Sequence, residues 1–176
     1  MPRPYAEPMT ERTHKVLVAE DDESVRESLR KLLHGEGYQV IAVANGAEAV
    51  EAFRLEQNQI ELLLVDLNMP LKNGWATLDR LIEINPSLPV LIVTGQPNQN
   101  EMAEAAGVSA LLEKPIDVRA LLLLIQELLA EVVEFGLQRT DHRGFPFHHL
   151  RAAGYASRYN WAEQHVAPYA HGGLNE

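Results

Sequence analysis

A chain of 176 residues, 46% hydrophobic and 23% charged, has ordinary globular composition and is long enough for one compact domain with a remainder. Its formal net charge of −10 argues against unaided nucleic-acid binding, which draws much of its affinity from clustered Lys and Arg. The absence of Cys excludes disulfides, zinc–thiolate sites and thiol nucleophiles.

Met1 to Thr10 carries Pro2, Pro4 and Pro8 and no apolar core of the kind a signal peptide needs, so residues 1–14 read as a flexible arm. From Lys15 to about Glu134, short apolar runs alternate with amphipathic stretches, the pattern of repeated strand–helix units. The predicted strands are Lys15–Ala19, Gln39–Val43, Ile60–Val65, Val90–Val93 and Ser109–Leu112. They are apolar at nearly every position rather than at alternate ones, which suits parallel strands covered by helices on both faces. The predicted helices run over Ser24–His34, Ala47–Leu55, Trp75–Ile84, a short stretch near Asn98–Ala106, and from Asp117 onward. Asn45 and Asp117 stand where N-caps belong, and Gly35-Glu36-Gly37 ends the first helix.

The helix from Asp117 carries two apolar stripes. Val118, Leu121, Ile125, Leu128, Val132 and Phe135 form one, and Leu122, Leu129 and Val133 form a second beside it. One stripe covers the sheet, and the other calls for a partner: a second copy, making a homodimer, or the chain's own tail. The longest aliphatic block, Ala120–Ile125, is far too short to span a membrane, so a soluble, cytoplasmic protein is expected. After about Leu137 the alternation stops. Residues 137–176 hold five of the seven histidines, show no repeat and no helix-turn-helix pattern, and form an extension with no recognised output domain. Tyr155, Tyr159 and Trp161 suggest that it packs on something.

The chemistry collects at the ends of the apolar runs. Glu20-Asp21 follow the first, Asp66 the third and Thr94 the fourth, while Lys114-Pro115 follow the last. In a parallel sheet these ends share one crevice, where open α/β sheets bind their ligands. Each feature has a plain structural reading, such as favourable charge at a helix N-terminus for Glu20-Asp21-Asp22-Glu23, but their common register does not. Three carboxylates together call for a divalent cation, and oxygen-only donors suit Mg2+. Asp66 is placed as nucleophile and ligand, Asp21 as ligand, Glu20 as a ligand through water, and the Asn68 carbonyl as one more. Lys114, set in an extended approach by Pro115, can pair with Asp66 or an acyl-phosphate oxygen, and the Thr94 hydroxyl can donate to that oxygen as the start of a switch.

Taken together, the acidic pair Glu20-Asp21, Arg26, Asp66 with Asn68-Met69-Pro70 and Gly74, Thr94-Gly95, and Gly107-Val108-Ser109-Ala110 leading to Lys114-Pro115 resemble the receiver domain of two-component response regulators. The resemblance covers about two-thirds of the chain and implies a domain over 15–136. It implies a flavodoxin-like, doubly wound α/β fold with five parallel strands in order 2-1-3-4-5. It also implies that Asp66 accepts a phosphoryl group from a sensor histidine kinase or histidine phosphotransfer protein, and that the domain catalyses its own dephosphorylation. Leu111 stands where the family often has an aromatic residue, so signalling is expected to run through the helix near Asn98–Ala106 instead. The short tail favours a stand-alone receiver that switches protein contacts. The competing readings are a transcription regulator whose tail meets DNA through Arg139, Arg143, Arg151 and Arg158, and a phosphorylation-independent binding module.

Overall fold

The computed structural model describes residues 13–69, 74–135 and 148–150. The elements in chain order are β1 (Lys15–Ala19), α1 (Glu23–Gly35), β2 (Gln39–Val43), α2 (Gly46–Glu56), β3 (Ile60–Asp66), α3 (Gly74–Ile84), β4 (Val90–Thr94), α4 (Asn100–Ala105), β5 (Ala110–Glu113), α5 (Val118–Phe135) and β6 (His148–Leu150). The strands form one sheet in the order β2-β1-β3-β4-β5-β6, every pair parallel. The expected order 2-1-3-4-5 is present, and a short sixth strand from the C-terminal extension lies outside β5.

Alternate residues of each central strand face opposite ways, and each face has its own core. Leu17, Ala19, Leu63, Val65, Ile92 and Leu111 pack with Phe53 of α2, Leu78 and Leu81 of α3 and Ala103 of α4. Val16, Val18, Leu62, Leu64, Leu91, Val93, Ala110 and Leu112 pack with Leu29 and Leu33 of α1 and with Leu121, Leu124, Ile125, Leu128 and Leu129 of α5. Two covered faces explain why the strands are apolar without alternation.

Local chemistry sets the helix ends. The Asp22 side chain accepts from the Val25 N–H at 3.0 Å and caps α1, a role the sequence reading gave only to charge. At the other end Gly37, at φ 88, turns the chain, and the N–H groups of Gly37 and Tyr38 donate back to His34 and Leu33. Asn45 accepts from the Glu48 N–H at 2.9 Å, while Glu48 accepts from the Ala44 N–H, also at 2.9 Å, a reciprocal cap on α2. Asp117 accepts from the Ala120 N–H at 3.0 Å and starts α5. Helix α4 begins at Asn100 rather than Asn98, because Asn98 has φ 59, a left-handed conformation that a helix cannot contain.

The second stripe of α5 is largely used within the fold: Leu129 is buried and Leu122 partly buried in the core on the α1 side. The Val133 side chain, the arginines proposed for DNA, the three tail aromatics and residues 1–12 lie outside the described residues. Of the proposed N-terminal arm, His14 is tied to the domain. Its carbonyl accepts from the Gln39 N–H, and its ring lies 2.9 Å from Glu61.

Candidate functional site

Three strands deliver the site. Asp66 is the last residue of β3, Thr94 the last of β4, and Lys114 follows directly after β5. Strand register places Asp66 beside Val93 and Thr94 beside Glu113, so neighbouring strands end level with one another. Glu20 and Asp21 follow β1, and the Glu20 N–H donates to the Val43 carbonyl of β2 at 3.1 Å. The Arg26 guanidinium donates to the carbonyls of Glu20 and Asp21 at 2.8 and 3.1 Å, fixing the backbone that carries both acids.

The carboxylates of Glu20, Asp21 and Asp66 each offer an oxygen within 4.8 Å of the others. Asp21 is exposed, whereas Glu20 and Asp66 are only 1% and 2% exposed. Lys114 spans the buried pair, its Nζ donating to Asp66 Oδ2 at 2.7 Å and to Glu20 Oε2 at 3.0 Å. The peptide bond after it, to Pro115, is cis. The other Asp66 oxygen accepts from the Asn68 N–H at 2.9 Å.

Burial pushes the Glu20 carboxyl above its ordinary value, the Lys114 hydrogen bond opposes this, and the nearby Asp66 charge adds to the rise. For Lys114 burial favours the neutral amine, but hydrogen bonds and charge from Asp66 and Glu20 together hold the ammonium above its ordinary value. The crevice is thus an acidic pocket with one cation already in it.

Thr94 is fully buried, and its Oγ1 accepts from the Gln96 N–H at 3.0 Å, which leaves the hydroxyl hydrogen available to donate. The Lys114 N–H donates to the Thr94 carbonyl at 2.8 Å, so the two residues share a direct backbone link. Gln96 was not foreseen: its side-chain amide donates to Asn68 Oδ1 and bridges the loops after β3 and β4. Its place two residues after Thr94, matching Asn68 two after Asp66, was the available signal.

Gly74 opens α3 against the loop from Asp66. A Cβ there would stand 2.5 Å from Leu67 Cα and 2.6 Å from the Asp66 carbonyl oxygen, both backbone atoms that no side-chain rotation can move. Gly74→Ala is expected to cost about 2 kcal/mol through overpacking. The same change displaces the Asp66–Asn68 turn. Urea denaturation together with a magnesium titration checks both effects.

A profile of the response regulator receiver domain matches residues 16–126. The chain is 36% identical over 117 residues to the response regulator receiver protein CpdR of Brucella abortus, covering 65% of this chain and 96% of that protein. It is 38% identical over 117 residues to the transcriptional regulatory protein ZraR of Klebsiella oxytoca, covering 65% of this chain but only 26% of that protein. The chain therefore spans nearly all of the one relative and about a quarter of the other. Among solved structures, a CheY-like receiver domain protein from Methanospirillum hungatei superposes with a TM-score of 0.64 at 27% identity, over 69% of this chain and 98% of that one. A receiver domain protein from Clostridium thermocellum shares the fold, with a TM-score of 0.66 at 24% identity, over 69% of this chain and 98% of that one. With the site's strand-end geometry and these matches in agreement, the chain belongs to the response regulator receiver family of two-component signalling.

Proposed function

We propose that Asp66 is the phosphoacceptor, charged by a phosphohistidine on a sensor histidine kinase or histidine phosphotransfer protein. The observation that carries this reading is Lys114 Nζ spanning Asp66 and Glu20 in a pocket of three carboxylates. The oxygen-only donor set fits Mg2+, with Asp21 and Asp66 as direct ligands, Glu20 through a water and the Asn68 carbonyl completing the protein's share. Magnesium, when bound, offsets the charge of the phosphoryl oxygens as they approach the carboxylates.

An Asp66 oxygen attacks phosphorus, the O–P bond forms, and the P–N bond to the donor imidazole breaks with its electron pair returning to nitrogen. Lys114 transfers a hydrogen bond from Asp66 to a phosphoryl oxygen, and the Thr94 hydroxyl turns to donate to the same group. The return to the resting state is attack by water on phosphorus, which breaks the Asp66 O–P bond with its electron pair returning to the carboxylate, releases inorganic phosphate and makes the domain its own phosphatase. Burial of Asp66 and Thr94 restricts access to the crevice mouth, where Gln96 and Asn68 stand.

An apolar groove of about 300 Å³ between α1 and the start of α5, lined by Val25, Leu29, Leu32, Ile116 and Val118 with Ser24 and Ser28 at its rim, supports docking of the histidine-bearing partner. Beside it Arg30 and Lys31 hold Glu27, whose carboxyl is lowered to about 2, chiefly by the hydrogen bond from Arg30. Ser24, Glu27, Ser28 and Lys31 then set partner choice. A homodimer through α5 has little second stripe left to use among the described residues, since Leu129 and Leu122 pack inward. No described helix is long and apolar enough to cross a membrane, and a cytoplasmic site of action fits the partner class.

Incubation with acetyl phosphate should add one phosphoryl group in the presence of magnesium and none in EDTA, as read by intact mass. Equal incorporation with and without magnesium would contradict the assignment of the acidic cluster. No incorporation from either acetyl phosphate or a phosphorylated histidine donor would leave a phosphorylation-independent binding module as the better reading.

A further inference from the structure

Strand β5 would be the open edge of a five-stranded sheet, but the described structure continues beyond it. His148–Leu150 runs parallel to β5, with Ala110 opposite His148, Leu111 opposite His149 and Leu112 opposite Leu150. Ala110, Leu111 and Leu112 are buried on both faces of the sheet, so the open side of β5 is an apolar strand whose backbone N–H and C=O groups seek a partner. The chain supplies that partner through the device that builds the rest of the sheet. Helix α5 follows β5 in the chain, and His148–Leu150 pairs with β5 in the same parallel sense as every other neighbouring pair of the sheet.

The edge is also joined to the chemistry. Lys114 lies one residue beyond β5, its N–H bonded to the Thr94 carbonyl and its Nζ to Asp66 and Glu20. Strand β5 is therefore held along one side by β4, along the other by β6, and at its end by the carboxylate pocket.

We propose that the β5 edge is a strand-docking surface whose occupant is the chain's own His148–Leu150 segment, and that phosphoryl occupancy of Asp66 loosens this docking. The second half rests on the phosphoacceptor reading above. A phosphoryl group draws Lys114 and the Thr94 hydroxyl toward itself and so shifts the ends of β4 and β5 by contacts that the resting state lacks. A three-residue pairing has few bonds with which to follow that shift, so its population responds to a small change in β5. The signal then leaves as an uncovered sheet edge. This supplies an output in a receiver whose buried Leu111 takes the place of a swinging aromatic ring.

Hydrogen exchange on the full chain tests both halves, using the peptides that cover 110–113 and 148–150. The comparison protein is the double variant His149→Pro, Leu150→Pro. Adjacent strand positions alternate in bonding direction, so one of the two prolines removes a ladder N–H whichever way the register faces. Those 110–112 amides that face β6 should exchange at least ten-fold more slowly in wild type than in the variant, independent of protein concentration. Beryllofluoride with magnesium, a stable phosphoryl mimic whose binding native mass reports, should speed wild-type exchange there several-fold and leave the variant unchanged.

Equal exchange in wild type and variant would overturn the docking. Protection that grows with protein concentration would overturn its being within one chain and assign the edge to a second copy. Bound mimic with unchanged exchange would overturn the coupling alone. Failure of the mimic to bind would remove the phosphoacceptor reading and the coupling with it, while the proline comparison still decides the docking.

Discussion

Lys114→Met is expected to lower stability at neutral pH by about 3 kcal/mol in magnesium-free buffer and to slow phosphoryl incorporation about 100-fold. Two nearly buried carboxylates, Glu20 and Asp66, would lose the cation that donates to both at 3.0 and 2.7 Å. The stability figure sits at the low end of the range for breaking a buried pair, because the Lys114 side chain keeps 26% exposure. The sign of the pH dependence follows from Glu20. Its folded carboxyl already lies above the ordinary 4.5, raised first by burial, and loss of the Lys114 hydrogen bond raises it further. A group whose folded value is raised favours the folded state below its unfolded value, and that gain is lost as pH rises through the folded value. The variant should therefore recover stability as pH falls from neutral toward 4.5, more steeply than wild type. At the alkaline end wild type should lose stability more steeply than the variant as Lys114 deprotonates above 10.5, because its ammonium is held by the pair, whereas the loss from Tyr38, raised by burial, is common to both. Urea melts at a series of pH values read both limbs. A difference between the two proteins that does not change with pH would show that Lys114 contributes packing rather than charge.

Asp66→Asn removes the proposed nucleophile while keeping its shape, and incorporation should fall by roughly a million-fold, in practice to nothing detectable. The amide oxygen can still accept from the Asn68 N–H, so the turn after β3 should hold. Replacing the carboxylate also removes one cause of the raised Glu20 carboxyl, which should fall back toward its ordinary value. The variant's gain of stability on acidification should therefore be shallower than that of wild type. Residual incorporation in Asp66→Asn would move the acceptor to Asp21 or to a tail histidine.

The residues that the fold gathers at the candidate site were legible because the fold confines them. Strands buried on both faces must be apolar throughout, so a lone Asp66 or Thr94 closing such a run stands out in the sequence, as does Lys114 just past the last one. Strand ends were read one residue short for β3 and β4, since Asp66 and Thr94 are the final paired residues rather than the first loop residues. What depended on non-local geometry was not legible. The Gln96–Asn68 contact joins two loops 28 positions apart, and the left-handed turn at Asn98 that delays α4 leaves no mark in apolar periodicity. Strand β6 is three residues, His-His-Leu, too short to show a period; only its pairing with β5 makes it a strand. The apolar second stripe of α5 did call for a cover, but part of it turned inward onto the α1 side.

The most direct measurement reduces the phosphorylated protein with borohydride, which converts an acyl phosphate to an alcohol and the acceptor aspartate to homoserine, followed by peptide mapping. Homoserine at position 66 alone, abolished by EDTA during phosphorylation, is the predicted result. Homoserine at Asp21 or Asp22, or a phosphorylated protein that borohydride leaves unreduced, would contradict the assignment of Asp66 as the acceptor.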